Sequence, residues 1–263
     1  RYFHGVVVEG EYLSERHDGF HYRLSLRPWT YLIAHNRDFA IFQDKTVIDI
    51  AKIIFAKHPS AKVDYAKLTR VRAVRNYCVQ YGESDFAFMT RLFEEEGIYY
   101  YFEHQEKEHR MMLCDAPSSH VAGTPSKLTY NTNAAAIMNA DSAARTASAK
   151  QDFITRWTER VSTGGEAKVT LRDFNFEHAG KPLEVVAEAK TAHPDDHNEV
   201  YDFPGRYSET GHGKPLGQTM LDSFRANRQT FSGESQVLSL GCGHKFMLAD
   251  HPNGRFNSQY LVT

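Results

Sequence analysis

Cysteine is scarce. The chain carries three in 263 residues, Cys78, Cys114 and Cys242, an odd count without CxxC spacing. That excludes a disulfide framework and points to small buried hydrophobes of a reducing compartment. Long apolar runs are missing as well. No run reaches the roughly 18 residues of a membrane-spanning helix, and no secretory signal pattern opens the chain. Neither charge sign dominates: 31 Lys and Arg stand against 33 Asp and Glu, for a net charge of −2. Bulk electrostatics therefore favour neither nucleic acid nor an anionic membrane. Two motifs of nucleotide and acyl chemistry are absent too. Gly211-His212-Gly213-Lys214-Pro215 lacks the spacing of a phosphate loop, and Ser232-Gly233-Glu234-Ser235 lacks the frame of a nucleophile elbow.

Aromatic residues are plentiful, with 17 Phe and 14 Tyr, which leans toward β-structure. The most organised stretch is residues 77–102, YCVQYGESDFAFMTRLFEEEGIYYYF. Tyr77, Val79 and Tyr81 alternate with Cys78 and Gln80, the two-residue period of a strand. Gly82 breaks it. Ser84 then caps a helix whose first turn carries Asp85, where a carboxylate suits the dipole. Phe86, Met89 and Phe93 share one helical face, Leu92 widens it, and Phe88 lies at the flank. Gly97 is placed to stop the helix in a left-handed cap. Ile98 to Phe102 is a dense strand of aromatic and β-branched side chains.

Glu94, Glu95 and Glu96 go against the dipole, which prefers cations in a last turn. Arg91 can offset Glu94 and Glu95, in the weaker orientation. Glu96 falls on the apolar side of the wheel. It either escapes to water at the helix end or forms a structural ion pair with an Arg of another part of the chain or of a neighbouring subunit. A catalytic carboxylate is the weakest reading, for no second acid or His stands at a telling spacing. Ser84, Glu96 and Gly97 are thus the candidate structural residues of this stretch.

Elsewhere, Tyr2–Tyr12 and Phe20–Leu26 read as a long hairpin through the Asp18-Gly19 turn, ended by Pro28. Thr46, with Asp49 three residues on, opens a helix whose apolar residues cover over half its wheel and must be covered on several sides. Residues 60–76 hold Lys62, Lys67, Arg70, Arg72 and Arg75. Without interleaved aromatics this reads as a solvated connector, not a nucleic-acid patch. Arg110–Cys114 is a strand. Residues 118–150 turn to Ser, Ala, Thr and Asn, and read as a connector with an Ala-rich helix possible over Asn133–Ala149. Phe153–Val161 and Ala167–Phe176 read as a hairpin about Gly164-Gly165. Leu183–Ala189 is strand-like. Pro215–Gln229 reads as a helix striped by Leu216, Met220, Leu221 and Phe224. Ser235–Leu240, His244–Leu248 and Gln259–Val262 read as strands. Opening in a strand pattern without Met and ending in another, the chain is expected to be a segment of a longer protein.

Fourteen His invite a metal reading. His193 and His197 stand four apart, but Pro194 spoils a helical chelate and zinc needs three or four converging ligands, so a polar loop is expected. His104 and His109 flank a turn and are expected to be solvated. Catalytic, cofactor-binding and metal-binding residues are expected to be none. Competing readings are a His-rich hydrolase and a carbohydrate-binding β-sandwich with Trp29 or Trp157 on an exposed platform.

An ordered set of motifs resembles the VgrG spike proteins of type VI secretion systems and their hub relatives in contractile phage tails. It begins with Phe3-His4-Gly5-Val6-Val7, Leu26-Arg27-Pro28 and Ile41-Phe42-Gln43 leading into the helix at Thr46. The central stretch follows the pattern QYxESDxxFxxRLxEExGIxYYF. Phe203-Pro204-Gly205-Arg206-Tyr207, Ser232–Ser235, Leu240-Gly241, His251-Pro252 and Asn257–Thr263 complete it. The resemblance runs nearly end to end but carries little of residues 118–150. It implies a β-rich α+β fold: two related tube-type β-barrels, the first truncated, linked by an α+β insertion. Residues 1–30 would end the first barrel, 31–117 form the insertion, 118–150 connect, and 151–263 form the second barrel with one helix. The echo between Arg1–Val7 and Gln259–Thr263 fits two related barrels. The implied function is structural, a homotrimeric adaptor between a puncturing tip and a hexameric tube. A hub of a phage tail or phage-like particle is the alternative. Implied partners are two further copies, the tube-ring protein, and secreted effectors or adaptors, with neither nucleic acid nor a membrane span. The implied location is the bacterial cytoplasm, then export with the apparatus. A needle, a tip metal and an effector domain belong to family parts absent from this sequence.

Overall fold

The computed structural model describes residues 2–132, 153–163, 165–189 and 198–263. The Ala-rich stretch, His193, His197 and Gly164 lie outside the described residues. The chain divides into two units: Arg1–Glu94 with Ile98–Val121 and Thr263, and Glu95–Gly97 with Ala122–Val262.

The first unit begins with β1 (Val6–Arg16) and β2 (Gly19–Arg27), an antiparallel pair with register shifts between Val7 and Glu9 and between Tyr12 and Ser14. Gly19 takes φ +130° at the turn, a conformation that favours glycine. After Pro28 comes the short α1 (Thr30–Ile33). β3 (Asp38–Phe42) pairs antiparallel with β5 (Cys78–Glu83), and α2 (Val47–Ala56) lies between them in sequence. α2 starts in a complete capping box, with Asp49 N–H donating to Thr46 Oγ1 and Thr46 N–H to Asp49. α3 (Asp85–Glu96) follows, then β6 (Tyr99–His104) and β7 (His109–Cys114) as a hairpin, with the two-residue β4 (Val63–Asp64) parallel to β7.

Both longer helices of this unit bury one face in one core. Val47, Ile50, Ala51, Ile54 and Phe55 of α2 meet Phe88, Met89, Leu92 and Phe93 of α3, with Trp29, Ile33, Met111 and Leu113. The wheel expectation for α3 is wrong in one respect. Phe88 is fully buried and stacks on Phe42 at 5.6 Å, while Phe86 is only half-buried. The β3–β5 sheet supplies Phe42 on the side a lone helix would present to water.

In the second unit, β8 (Val121–Tyr130), β9 (Phe153–Val161), β13 (Gln229–Ser235), β14 (His244–Ala249) and β15 (Gln259–Leu261) form a sheet ordered β13-β9-β8-β14-β15. β10 (Glu166–Asp173), β11 (Leu183–Glu188) and β12 (Asn198–Asp202) form another, ordered β11-β10-β12. Several expectations are corrected here. β9 and β10 lie in different sheets and are not a hairpin. The strand read at Ser235–Leu240 lies earlier, at Gln229–Ser235, and the stretch read as a connector contains β8. Cys242 is exposed, unlike Cys78 and Cys114.

α4 (Thr210–Arg225) begins five residues before the Pro215 start that the sequence suggests, and Pro215 sits within it. Its fully buried residues are Gly213, Gly217 and Leu221; of the expected stripe, Leu221 is buried, Leu216 and Met220 are partly buried against the same core, and Phe224 is exposed. The glycines permit close approach. A Cβ on Gly213 would come within 2.7 Å of the Tyr207 ring, and one on Gly217 would touch Val185, Ala187 and Leu171. Tyr207 cannot easily yield, because its hydroxyl lies 2.8 Å and 3.0 Å from the carbonyls of Leu171 and Leu183.

This packing separates two glycines of one helix. Gly213→Ala is expected to cost about 1–3 kcal/mol through overpacking. Gly211→Ala, with nothing near the added Cβ, should gain about 0.4–1 kcal/mol. Urea unfolding midpoints of the two variants check the pair, and equal shifts would contradict the packing account.

Candidate functional site

The polar centre of the first unit is Asp115, the residue after β7. Its side chain is fully buried. Thr69 N–H donates to both carboxylate oxygens at 2.9 and 3.0 Å, Thr69 Oγ1 donates at 2.9 Å, and Arg70 N–H at 2.9 Å. Arg72 Nη2 closes the set at 2.7 Å, its own side chain 7% exposed. Burial alone would raise the Asp115 carboxyl. The Arg70 and Thr69 donors and the Arg72 charge outweigh it and hold the carboxyl below its ordinary value. The basic run is therefore not a solvated connector as read from sequence. One acid gathers its Thr69–Arg72 segment and takes one of its cations out of water. Lys67, farther up the run, lies over the Tyr101 ring and is also bound by Glu103.

A second buried carboxylate starts α3. Asp85 Oδ1 accepts from Gln80 Nε2 at 2.9 Å, and Oδ2 lies 2.7 Å from His58 Nε2. Asp85 N–H donates to Asn36 Oδ1 at 3.0 Å. Burial pushes this carboxyl up; the Gln80, His58 and Asn36 hydrogen bonds bring it below its ordinary value. The arrangement ties α3's N-terminus, where negative charge suits the dipole, to β5, to the loop after α2 and to the one after α1.

The residues nominated from sequence sit at the two ends of α3. Ser84 Oγ accepts from Ala87 N–H at 3.1 Å. Gly97 takes φ +66°, and Ile98 N–H donates to Phe93 O at 2.8 Å, the long bond of a Schellman turn. Glu96 is half-buried. Its neighbour Glu95 pairs with Arg206, both within the second unit. Arg91 pairs with Glu83 at 2.5 Å. Sequence reasoning missed Asp115, Asp85 and Glu95 as anchors. The available signal was a run of five cations with a single acid, Asp64, among them.

Among the described residues, no group of three or more His, Cys, Asp or Glu is arranged to hold a metal ion. His104 and His109 are not solvated as expected: His109 is buried and His104 half-buried. Neither Trp forms an exposed platform. Trp29 is buried, and Trp157 packs against Phe231, Phe246 and Tyr260. No described helix is long and apolar enough to cross a membrane.

The β1–β2 hairpin of the first unit carries many exposed apolar side chains. Val7, Tyr12, Leu13, Phe20, Tyr22, Leu24 and Leu26 are all exposed, and among the described residues the sheet has two strands.

Asp115→Ala should destabilise the protein by about 3–5 kcal/mol, because it removes the buried carboxylate that the Thr69, Arg70 and Arg72 donors share. Asp115→Asn, which keeps one acceptor oxygen, should cost less. Chemical unfolding measures both, and a neutral Asp115→Ala would remove the anchor role. Both buried carboxyls have folded values below their unfolded ones. Their contribution is therefore full above about pH 4 and is lost as pH falls through the folded values. Acid unfolding of Asp115→Asn should accordingly be shallower than that of the parent.

The whole chain, residues 1–263, matches the family model described as the phage tail baseplate hub (GPD). The type VI secretion system spike protein VgrG1a of Pseudomonas aeruginosa is 30% identical over 263 residues, covering 100% of this chain and 39% of its own length. The present sequence thus spans well under half of that relative. Among solved structures, the E. coli c3393 protein has a TM-score of 0.64 at 18% identity, over 99% of this chain and 55% of its own. It is described as a component of the type VI secretion system with structural similarity to the T4 tail proteins gp27 and gp5. A tail protein of Neisseria meningitidis MC58 has a TM-score of 0.62 at 15% identity, over 98% of this chain and 72% of its own. With a β-rich α+β fold shared with tail proteins and a family match from end to end, the chain belongs to the phage tail baseplate hub family.

Proposed function

We propose that this chain is the hub segment of a type VI secretion spike, a non-catalytic adaptor that joins a trimeric puncturing tip to a hexameric tube. The observation that carries the reading is the β1–β2 hairpin. A two-stranded sheet is marginal alone in water. This one exposes large side chains along both strands and, among the described residues, has no strand on either outer edge. It is built to be completed by strands of a second copy. The spike relatives, at about 30% identity across the chain, favour secretion over a phage-like particle.

In this reading residues 1–30 are the end of a first tube barrel and 31–117 an α+β insertion. Residues 151–263 are a second barrel, which β8 of the 118–150 stretch joins. Curvature supports the second barrel. β13 and β15 stand at opposite ends of the five-strand order, yet Phe231 and Tyr260 meet at 4.8 Å between ring centroids. The sheet bends far enough to bring its ends together. Three copies would then present six barrels to a tube ring. Effectors or adaptors would ride on the complete protein, made in the bacterial cytoplasm and exported with the apparatus. Ser84 and Gly97, with Glu96, keep α3 at its length and so hold the insertion in shape.

The test uses the complete spike protein. Its sedimentation mass is expected to be three times that of one chain, and Tyr22→Lys with Leu24→Lys should shift it to one chain while leaving the circular dichroism unchanged. A parent that stays a monomer at high concentration, or a double variant that still trimerises, would overturn the role given to the hairpin.

A further inference from the structure

Three histidines converge where the β1–β2 hairpin meets the β6–β7 hairpin, all within the first unit. His4 precedes β1, while His104 and His109 face each other in the β6–β7 register. His4 Nδ1 lies 2.8 Å from His109 Nδ1. His104 Nδ1 is 3.2 Å from the His4 N–H and 2.9 Å from its carbonyl oxygen. From the other end of the hairpin, Trp29 N–H donates to His109 Nε2 at 2.7 Å. His109 is 4% exposed. One buried imidazole therefore holds both ends of the hairpin, through His4 before β1 and Trp29 after β2.

Counting protons shows why this arrangement is conditional. A ring nitrogen that accepts an amide proton carries no hydrogen of its own. With Nε2 accepting from Trp29, neutral His109 keeps its proton on Nδ1 and donates it to His4 Nδ1. His4 must then be neutral as well, with its proton on Nε2. The Trp29–His109–His4 chain is complete only with both rings uncharged. A second proton on His109 has to enter at Nε2, where it opposes the Trp29 N–H. A second proton on His4 has to enter at Nδ1, where it opposes the His109 N–H.

The surroundings offer an added proton little compensation. Next along β6 is Glu103, bound by Lys67 and Tyr101. Next along β7 is Arg110, paired with Glu108 at 2.7 Å. β2 ends in Arg27, and α1 carries no charged side chain. The Phe102 ring packs at 5.6 Å. The titratable groups that His109 meets directly are His4 and His104. Burial first, and these two rings next, hold its imidazole below its ordinary value. The sign follows. A histidine depressed on folding contributes stability that is full above its unfolded value of about 6.5 and is lost as pH falls through the interval down to the folded value.

We propose that His4, His104 and His109 form an acid-labile clamp that fastens both ends of the β1–β2 hairpin to the β6–β7 hairpin and lets go when His109 takes up a second proton.

Hydrogen exchange with mass-spectrometric readout on the full chain, corrected for the intrinsic pH dependence of exchange, tests this. Histidine ring nitrogen NMR on the same samples gives the His109 titration. Between about pH 7.5 and pH 5, protection of the β1 and β2 amides should fall by about tenfold or more, while α2 and α3 amides keep theirs. The fall should track the titration of His109. His109→Gln supplies an oxygen to accept the Trp29 N–H without a titratable ring, and its hairpin protection should stay level across the range. Constant protection in the parent would overturn the clamp. So would a loss whose midpoint departs from that of His109, which is read on the parent alone and survives a failure of the variant to fold. An identical loss in His109→Gln would overturn it too.

Discussion

Asp115 has its carboxylate out of water, and the first unit is arranged so that this costs little. A lone buried carboxylate is strongly disfavoured. The Thr69–Arg72 segment removes the penalty by wrapping two backbone N–H groups, a hydroxyl and a guanidinium around it. The wrapped segment belongs to the long, irregular stretch between α2 and β5, which has few regular hydrogen bonds of its own. The carboxylate thus does for this stretch what a sheet ladder does for a strand. It also sits at the end of β7, so the loop is fastened to the strand whose Met111 and Leu113 enter the main core. Loop position, strand end and helix packing are coupled through one side chain.

The same logic recurs at Asp85, where an acid at a helix N-terminus gathers partners from three neighbouring segments. Between them, the two carboxylates hold the irregular parts of the α+β unit, and the apolar faces of α2 and α3 hold the regular parts. That division leaves the β1–β2 hairpin outside the described core of its unit: the histidine cluster ties it at its base, and its large side chains are exposed along its length. An element held so lightly by its own chain is free to find its packing elsewhere.

Local chemistry was legible in the sequence. The Thr46–Asp49 box, the Asp18-Gly19 turn, Ser84 at the start of α3 and Gly97 at its end all act over four or five residues, so their patterns survive without the tertiary fold. What was not legible depends on partners far along the chain. Asp115 and Arg72 are separated by a loop and a helix–hairpin unit, and nothing near either announces the other. His109 looked like a turn residue because its cover, Trp29 and His4, comes from the other end of the unit. The α4 face was read in part. Helical periodicity weighs large apolar side chains, so it found Leu216, Met220 and Leu221 but not Gly213 and Gly217, through which the helix also packs. β9 and β10 read as a hairpin because a Gly-Gly turn between strand patterns usually makes one; here the two strands part into different sheets.

Sheet edges carry a consequence for how such a molecule avoids the wrong company. In the second unit the terminal strand β15 is only three residues long, and its rim is drawn toward β13 by Phe231 and Tyr260. A stray strand finds few consecutive backbone groups there to bind. The β1–β2 ribbon presents eleven and nine residues of unguarded backbone instead. Among the described residues these are the two longest edge strands, so errors of assembly and its success meet at the same place.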